Sequence, residues 1–161
     1  AKQAGQHLRA YKISKRQDDD ISAVCLVIQV QIAHGIVTHA SIGAGGVAAT
    51  PARARQAEAA LLGQAWNAHT VQAAAAALQA EFRPISDMRA SGDYRQHVLG
   101  SLMQRFWLES QGLLASQWQA DDGPPRRYYE LSVLGTGMYQ DLTSAWGSLT
   151  SVMNRLLNEE D

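Results

Sequence analysis

The sequence predicts an α+β protein: a small antiparallel sheet with helices packed on one side, followed by a β-wing hairpin and a long C-terminal helix. Three observations carry this. A Val- and Ile-rich stretch, Ile21 to Ile32, is broken at His34-Gly35 and resumes from Ile36 to Ile42. Three helical stretches separated by Gly and Pro then run from Pro51 to Ser110. Last, Met138, Leu142, Ala145, Leu149, Val152 and Leu156 recur at alternating spacings of four and three. The chain has 161 residues, 46% hydrophobic and 18% charged, enough for one ordinary domain or two very small ones. Its longest apolar run, Ala23 to Ile28, is far shorter than the ~20 residues a membrane-spanning helix needs.

In chain order, Lys12 to Asp20 is basic then acidic and is expected to be a solvated lead-in. Ile21–Ile32 and Ile36–Ile42 form a hairpin, and their near-continuous apolar character predicts burial on both faces. After Gly43-Ala-Gly-Gly46, Thr50-Pro51 supplies an N-cap and a first-turn proline for a helix that closes at Gly63. A second, alanine-rich helix runs from about Thr70 to Phe82, where Arg83-Pro84 ends it because the residue before proline avoids the helical region. Tyr94, Val98, Leu102 and Phe106, beside Leu99, Met103 and Trp107, give a third helix a wide apolar stripe and predict its burial.

Leu113–Gln119 and Arg126–Leu131 read as two strands joined by the Gly- and Pro-containing turn 120–125, and Ser132 caps the last helix. The apolar stripe on that helix either packs on its own chain or pairs with a partner helix, most simply in a homodimer. Gly135, Gly137 and Gly147 lower its intrinsic helicity, so packing must support it.

The search for chemistry excludes more than it finds. Gly43 to Ala48 fits a loose G-x-G-x-x-A, but the acidic residue expected about 20 positions later and the alternating βαβ pattern are missing, so these glycines read as turn and close-packing residues. The five histidines lack metal-ligand spacing, and no metal site is expected. Cys25, in the middle of an apolar strand, reads as a small hydrophobe and, as a single cysteine, makes no internal disulfide. The N-terminus lacks the apolar core of a signal peptide, so a cytoplasmic location is expected. Residues 1–110 hold 11 basic and 8 acidic residues, net +3, and residues 111–161 hold 3 and 7, net −4, which leaves no strong electrostatic footprint for nucleic acid. On its residues alone, the chain is not recognisable as a complete enzyme.

Several ordered motifs carry a resemblance. Ala10-Tyr-Lys-Ile-Ser-Lys-Arg-Gln-Asp-Asp-Asp-Ile-Ser22, Gly45-Gly-Val-Ala-Ala-Thr-Pro-Ala-Arg-Ala54, Phe82-Arg-Pro-Ile-Ser-Asp-Met-Arg-Ala-Ser91 and Tyr94-Arg95 resemble the C-terminal subdomain of the FAD-binding subunit of molybdenum hydroxylases, of the bacterial xanthine dehydrogenase type, over residues 1–109. The resemblance implies an α+β subdomain and a role in electron transfer through FAD during purine hydroxylation. It also implies a flavoprotein or molybdenum-subunit partner, and Lys12 as a flavin-proximal cation that favours the reduced, anionic ring. The Gly-rich segments holding most of FAD belong to preceding subdomains, so the isolated chain is expected not to bind the cofactor. Asp19, Asp20, Thr50, Arg89 and Tyr94 are expected to be structural: caps, turns and fold-defining polar contacts.

From Leu108-Glu-Ser-Gln-Gly-Leu-Leu114 onward a second resemblance takes over. With Gly123-Pro-Pro-Arg-Arg-Tyr-Tyr-Glu-Leu131 and Trp146, residues 108–161 are similar to the wing and dimerisation helix of PadR-family transcriptional regulators. This implies a dimer interface through Met138, Leu142, Ala145, Leu149, Val152 and Leu156. With no preceding helix-turn-helix, Arg126 and Arg127 would at most touch DNA phosphates. The expected domains are thus 1–109, flavoprotein-like, and 110–161, wing and dimerisation helix, with helix 93–110 running directly into the wing. The competing readings are a flavoprotein segment, a PadR-like dimerisation module, and a chimera with no evolved function.

Overall fold

The computed structural model describes residues 4–14, 21–119 and 126–158. The chain divides into two compact units, Ala1–Ser110 and Gln111–Asp161. The first contains strands β1 (Gln6–Ile13), β2 (Val24–Ala33), β3 (Ile36–Gly45) and β4 (Ala52–Arg53), and helices α1 (Arg55–Leu61), α2 (Ala68–Glu81) and α3 (Gly92–Ser110). Every strand pairs antiparallel with its sequence neighbour, in the order β1-β2-β3-β4.

The sheet buries one face. On β2, Val24, Leu26, Ile28 and Val30 are fully buried, while Cys25, Val27, Gln29 and Gln31 between them retain exposure. This overturns the expectation of burial on both faces: an antiparallel sheet covered by helices on one side leaves the alternate set open, however apolar the run. Tyr11, Leu26, Ile28, Ile42 and Ala44 pack with Leu61, Leu78, Leu99, Met103 and Phe106 in a single core.

Two local devices set the register. The β2–β3 connection places both His34 and Gly35 at positive φ, 50° and 76°, which gives a two-residue turn whose twist matches the hairpin. A bulge next to Gln31/Ile32 then lets Val37 and Ala40 both point into the core.

Two expectations fail near the sheet edges. Gln6–Ile13 is a strand, so Lys12 and Ile13 belong to the sheet and not to a solvated lead-in; in register, Tyr11 lies opposite Leu26 and Ile13 opposite Val24. Asp19 and Asp20 lie outside the described residues. Thr50 does not cap a helix: it is exposed, and Ala52–Arg53 pairs instead with Gly43 and Ala44 as a fourth strand. Helix α1 starts after Ala54, which makes no side-chain cap, and its first turn is satisfied from elsewhere in the fold. The carboxylate of Glu81, the last residue of α2, accepts the N–H groups of Gln56 at 3.0 Å and Ala57 at 3.4 Å. Asn67 Oδ1 caps α2 by accepting the Thr70 N–H, and Gln96 Nε2 closes its far end by donating to the carbonyls of Gln79 and Phe82.

Trp66 and Phe106 pack edge to face at 5.9 Å, and Trp66 Nε1 donates to Ser110 Oγ at 2.9 Å. Arg9 on β1 donates to Glu109 at 2.9 Å, tying the edge strand to the end of α3. The helix ends at Ser110, and Gly112 takes a φ of 70° before the next strand begins at Leu114.

The second unit holds β5 (Leu114–Gln119), β6 (Arg126–Leu131) and α4 (Val133–Asn158). The hairpin pairs Leu114 with Leu131 through Gln119 with Arg126, and its turn, 120–125, lies outside the described residues. Ser132 caps α4 by accepting the Gly135 N–H and ties the cap down by donating to the Gly112 carbonyl at 2.5 Å. A Cβ at Gly135 would collide with the Leu113 carbonyl oxygen, so this helical glycine is a close-approach residue.

Phe106→Ala, which empties a fully buried ring site, is expected to lower the stability of the first unit by about 3–5 kcal/mol in urea unfolding.

Candidate functional site

The polar centre of the first unit is built by a buried arginine. Arg95, on the first turns of α3, is 3% exposed. Its Nη1 donates to the carbonyl of Ala23 at 2.5 Å and to that of Gly46 at 2.8 Å, and its Nη2 donates to Asp87 Oδ1 at 2.7 Å. One guanidinium therefore joins the start of β2, the exit of β3 and the loop 82–91. Gly46 sits at φ 75°, where a Cβ would strike the Ala23 carbonyl oxygen, so glycine is required for the two backbones to meet over Arg95.

Asp87 organises the loop in turn. Its Oδ1 also accepts the N–H groups of Arg89 at 2.8 Å and Ala90 at 3.1 Å, while Arg89 Nη1 lies 3.5 Å from Oδ2. The Arg89 backbone bond first, with the Ala90 bond and the Arg95 guanidinium, outweighs partial desolvation and holds the carboxyl at about 2, below the usual carboxylate range. Gly92 closes the loop by donating its N–H to Ser86 Oγ at 2.9 Å, and Ser91 Oγ accepts the Tyr94 N–H to start α3.

Beside this network lies a cleft of about 350 Å³, lined by Ile13, Ser14, Ala23, Arg89, Ser91 and Tyr94 among others. The neighbouring residue Lys12 is on the open face of the sheet, exposed and in register with Cys25. Arg89 and Tyr94 thus line the cleft in addition to their structural contacts. Sequence reasoning missed Asp87 and Arg95 as an interacting pair, although both stand inside the motifs quoted above. The signal available was the eight-residue interval across a helix start, which leaves one turn of loop for the carboxylate to fold back on.

The other candidate residues are not brought to this cleft. Arg127 is on β6, where it donates to Ser116 Oγ at 3.1 and 2.8 Å and lies over the Tyr129 ring at 5.4 Å. Arg126 pairs with Gln119 in the hairpin. Met138, Leu142, Leu149 and Val152 are 46–60% exposed on α4, Ala145 is exposed with them, and Leu156 lies on the same helix. Among the described residues no group of three or more His, Cys, Asp or Glu is arranged to hold a metal ion, and no helix is long and apolar enough to cross a membrane.

A one-sided antiparallel sheet with three helices, and a polar loop beside its open face, defines a small α+β domain. The chain belongs to the CO dehydrogenase flavoprotein C-terminal domain family, whose model matches residues 9–110. It is 39% identical over 84 residues to a xanthine dehydrogenase of Emericella nidulans, covering 51% of this chain and 6% of that one. It is 31% identical over 96 residues to the carbon monoxide dehydrogenase medium chain of Hydrogenophaga pseudoflava, covering 60% and 33%. A solved structure of carbon monoxide dehydrogenase from Hydrogenophaga pseudoflava, lacking the Mo-pyranopterin moiety, superposes with a TM-score of 0.60 at 34% identity over 65% of this chain and 36% of that one. The chain therefore spans about a third of the bacterial relative and a far smaller share of the fungal one.

Two outcomes follow for Arg95 and Asp87. Arg95→Met strands the Ala23 and Gly46 carbonyls and is expected to destabilise the first unit by about 3 kcal/mol in urea unfolding. Because the Asp87 carboxyl is depressed in the folded state, its stabilisation is complete above about pH 4 and disappears as pH falls toward 2. The difference in melting temperature between the native chain and Asp87→Asn should accordingly be largest at pH 5–7 and shrink below pH 4.

Proposed function

We propose that the chain serves as the C-terminal, flavin-side part of a flavoprotein component of a molybdenum hydroxylase of the xanthine or carbon monoxide dehydrogenase type, and that it acts in electron transfer with partner segments. The observation that carries this is the family match over 9–110, which coincides with a unit closed around its own core. When bound, FAD supplies the relay of electrons between redox centres and an acceptor.

The open sheet face fits a flat ring system. Ala10, Val27 and Gly43 lie in one cross-strand row, and Lys12, Cys25 and Gly45 in the next. Open space lies above Gly43. In this reading Lys12 extends over the floor of small residues and donates to the ring edge that becomes anionic on reduction, while Arg95 and Asp87 position the loop beside it. The isolated chain, with a floor and one cation but no phosphate cradle assigned to the cofactor, does not retain FAD.

The test is reconstitution. Added FAD should remain fully fluorescent with the isolated chain and be retained when the preceding portion of a bacterial medium chain is co-expressed with it. In that complex Lys12→Gln should lower the flavin midpoint potential by about 30 mV. Stoichiometric FAD on the isolated chain, or an unchanged potential in Lys12→Gln, overturns the assignment.

A second reading applies to the second unit and rests on the exposure of Met138, Leu142, Leu149 and Val152 along a 26-residue helix. Such a stripe is a seam for a second copy, as in the PadR-like resemblance, and the reading requires no DNA contact from Arg126 or Arg127. Light scattering should give a dimer mass that Leu149→Glu converts to a monomer; a monomer in both cases refutes it.

A further inference from the structure

A second cleft, of about 410 Å³, opens between the outer edge of β3 and α1, away from Lys12 and the loop 82–91. His39 on β3, Arg53 on β4 and Arg55, the first residue of α1, bring three cationic or potentially cationic side chains to its wall, against a single carboxylate, Glu58.

That carboxylate is already committed. Glu58 is largely buried; its Oε1 accepts the Ile42 N–H at 2.7 Å, and both oxygens accept Arg53 Nε, at 2.7 and 3.0 Å. Held through Nε, the Arg53 guanidinium is fixed in place with its terminal nitrogens unpaired among the described residues. Arg55 and His39 likewise have no partner among the described residues. One net positive charge, from the two guanidiniums, remains after Glu58.

The backbone supplies a further donor. Ile28 opposite Ile42 and Val30 opposite Ala40 stand in the same phase of the antiparallel ladder. Ile42 directs its N–H to Glu58 and its carbonyl to the Ala54 N–H, both away from β2. Two residues earlier, Ala40 directs its N–H and carbonyl the same way, toward the cleft, and no described residue bonds either one. At the other end Val37 is satisfied by Gln64 and Gly63. The gap in edge pairing is thus one residue long, and it sits among the cations. Ala59 and the half-exposed Leu62 complete the lining with an apolar wall.

We propose that this cleft binds a phosphate monoester of a small, largely apolar molecule. Arg55 and the terminal nitrogens of Arg53 hold the phosphate, the Ala40 N–H donates to it, and Ala59 and Leu62 pack on the organic body. The donor set decides the class: two guanidiniums and the Ala40 N–H face one cleft, and a phosphate monoester presents three acceptor oxygens to them where a carboxylate presents two. The volume lies within the ordinary range for small-molecule sites.

Titration of the full chain with phenyl phosphate, inorganic phosphate and benzoate, followed by amide NMR, tests this independently of the flavin reading. Phenyl phosphate should shift the Ala40 amide saturably and bind more tightly than either comparison anion. Arg55→Gln, at an exposed position with no partner to lose, should weaken it about tenfold or more, with Arg55→Lys intermediate. Leu62→Ser should erase the preference for phenyl phosphate over inorganic phosphate. An Ala40 amide that does not shift up to about 10 mM ligand, benzoate binding as tight as phenyl phosphate, or equal affinity in Arg55→Gln and the native chain overturns the proposal.

Discussion

The first unit depends on one guanidinium. Arg95 is buried where water cannot solvate it, and the fold accepts that cost because the group is paired with Asp87 and with two main-chain carbonyls that have no ladder partner. The start of β2, the turn at Gly46 and the loop before α3 meet at one point as a result. The loop residues lining the cleft are held through Asp87, which spends one oxygen on two backbone N–H groups and on Arg95. A charge that is expensive to bury becomes the reference from which the cleft is built.

One-sided burial is the complementary constraint. Three helices cover one face of the sheet, and the other presents small and half-exposed residues, Ala10, Val27, Gly43 and Gly45, beside Lys12. A domain with a closed core and an open, flat second face is suited to contributing one wall of a site, in keeping with its share of about a third of the bacterial relative's chain.

Much of this was legible in the sequence. The alternation of turn residues and apolar periods pointed to the first hairpin, the second and third helices, the strands β5 and β6 and the last helix with its Ser132 cap. What escaped had a nonlocal cause. The strand Gln6–Ile13 shows Arg9 and Lys12 to a reader, yet it forms because Tyr11 and Ile13 find Leu26 and Val24 in register. Thr50-Pro51 looked like a helix start because the local rule is sound; the pairing of Ala52–Arg53 with β3 overrode it, and α1 takes its cap from Glu81, 25 residues beyond Gln56. Of the cleft, Arg89 and Tyr94 were named from motif resemblance, though as structural residues, while the Asp87–Arg95 pair needed the loop geometry to be seen.

That borrowed cap couples two helices. A seven-residue helix cannot nucleate alone, and α1 owns neither an N-cap side chain nor a stabilising turn before it. Its first-turn donors are satisfied only once α2 has formed through to Glu81 and folded back. The short helix is therefore not an independent element: its formation is coupled to that of α2 through Glu81, and whatever frays the end of α2 also uncaps α1.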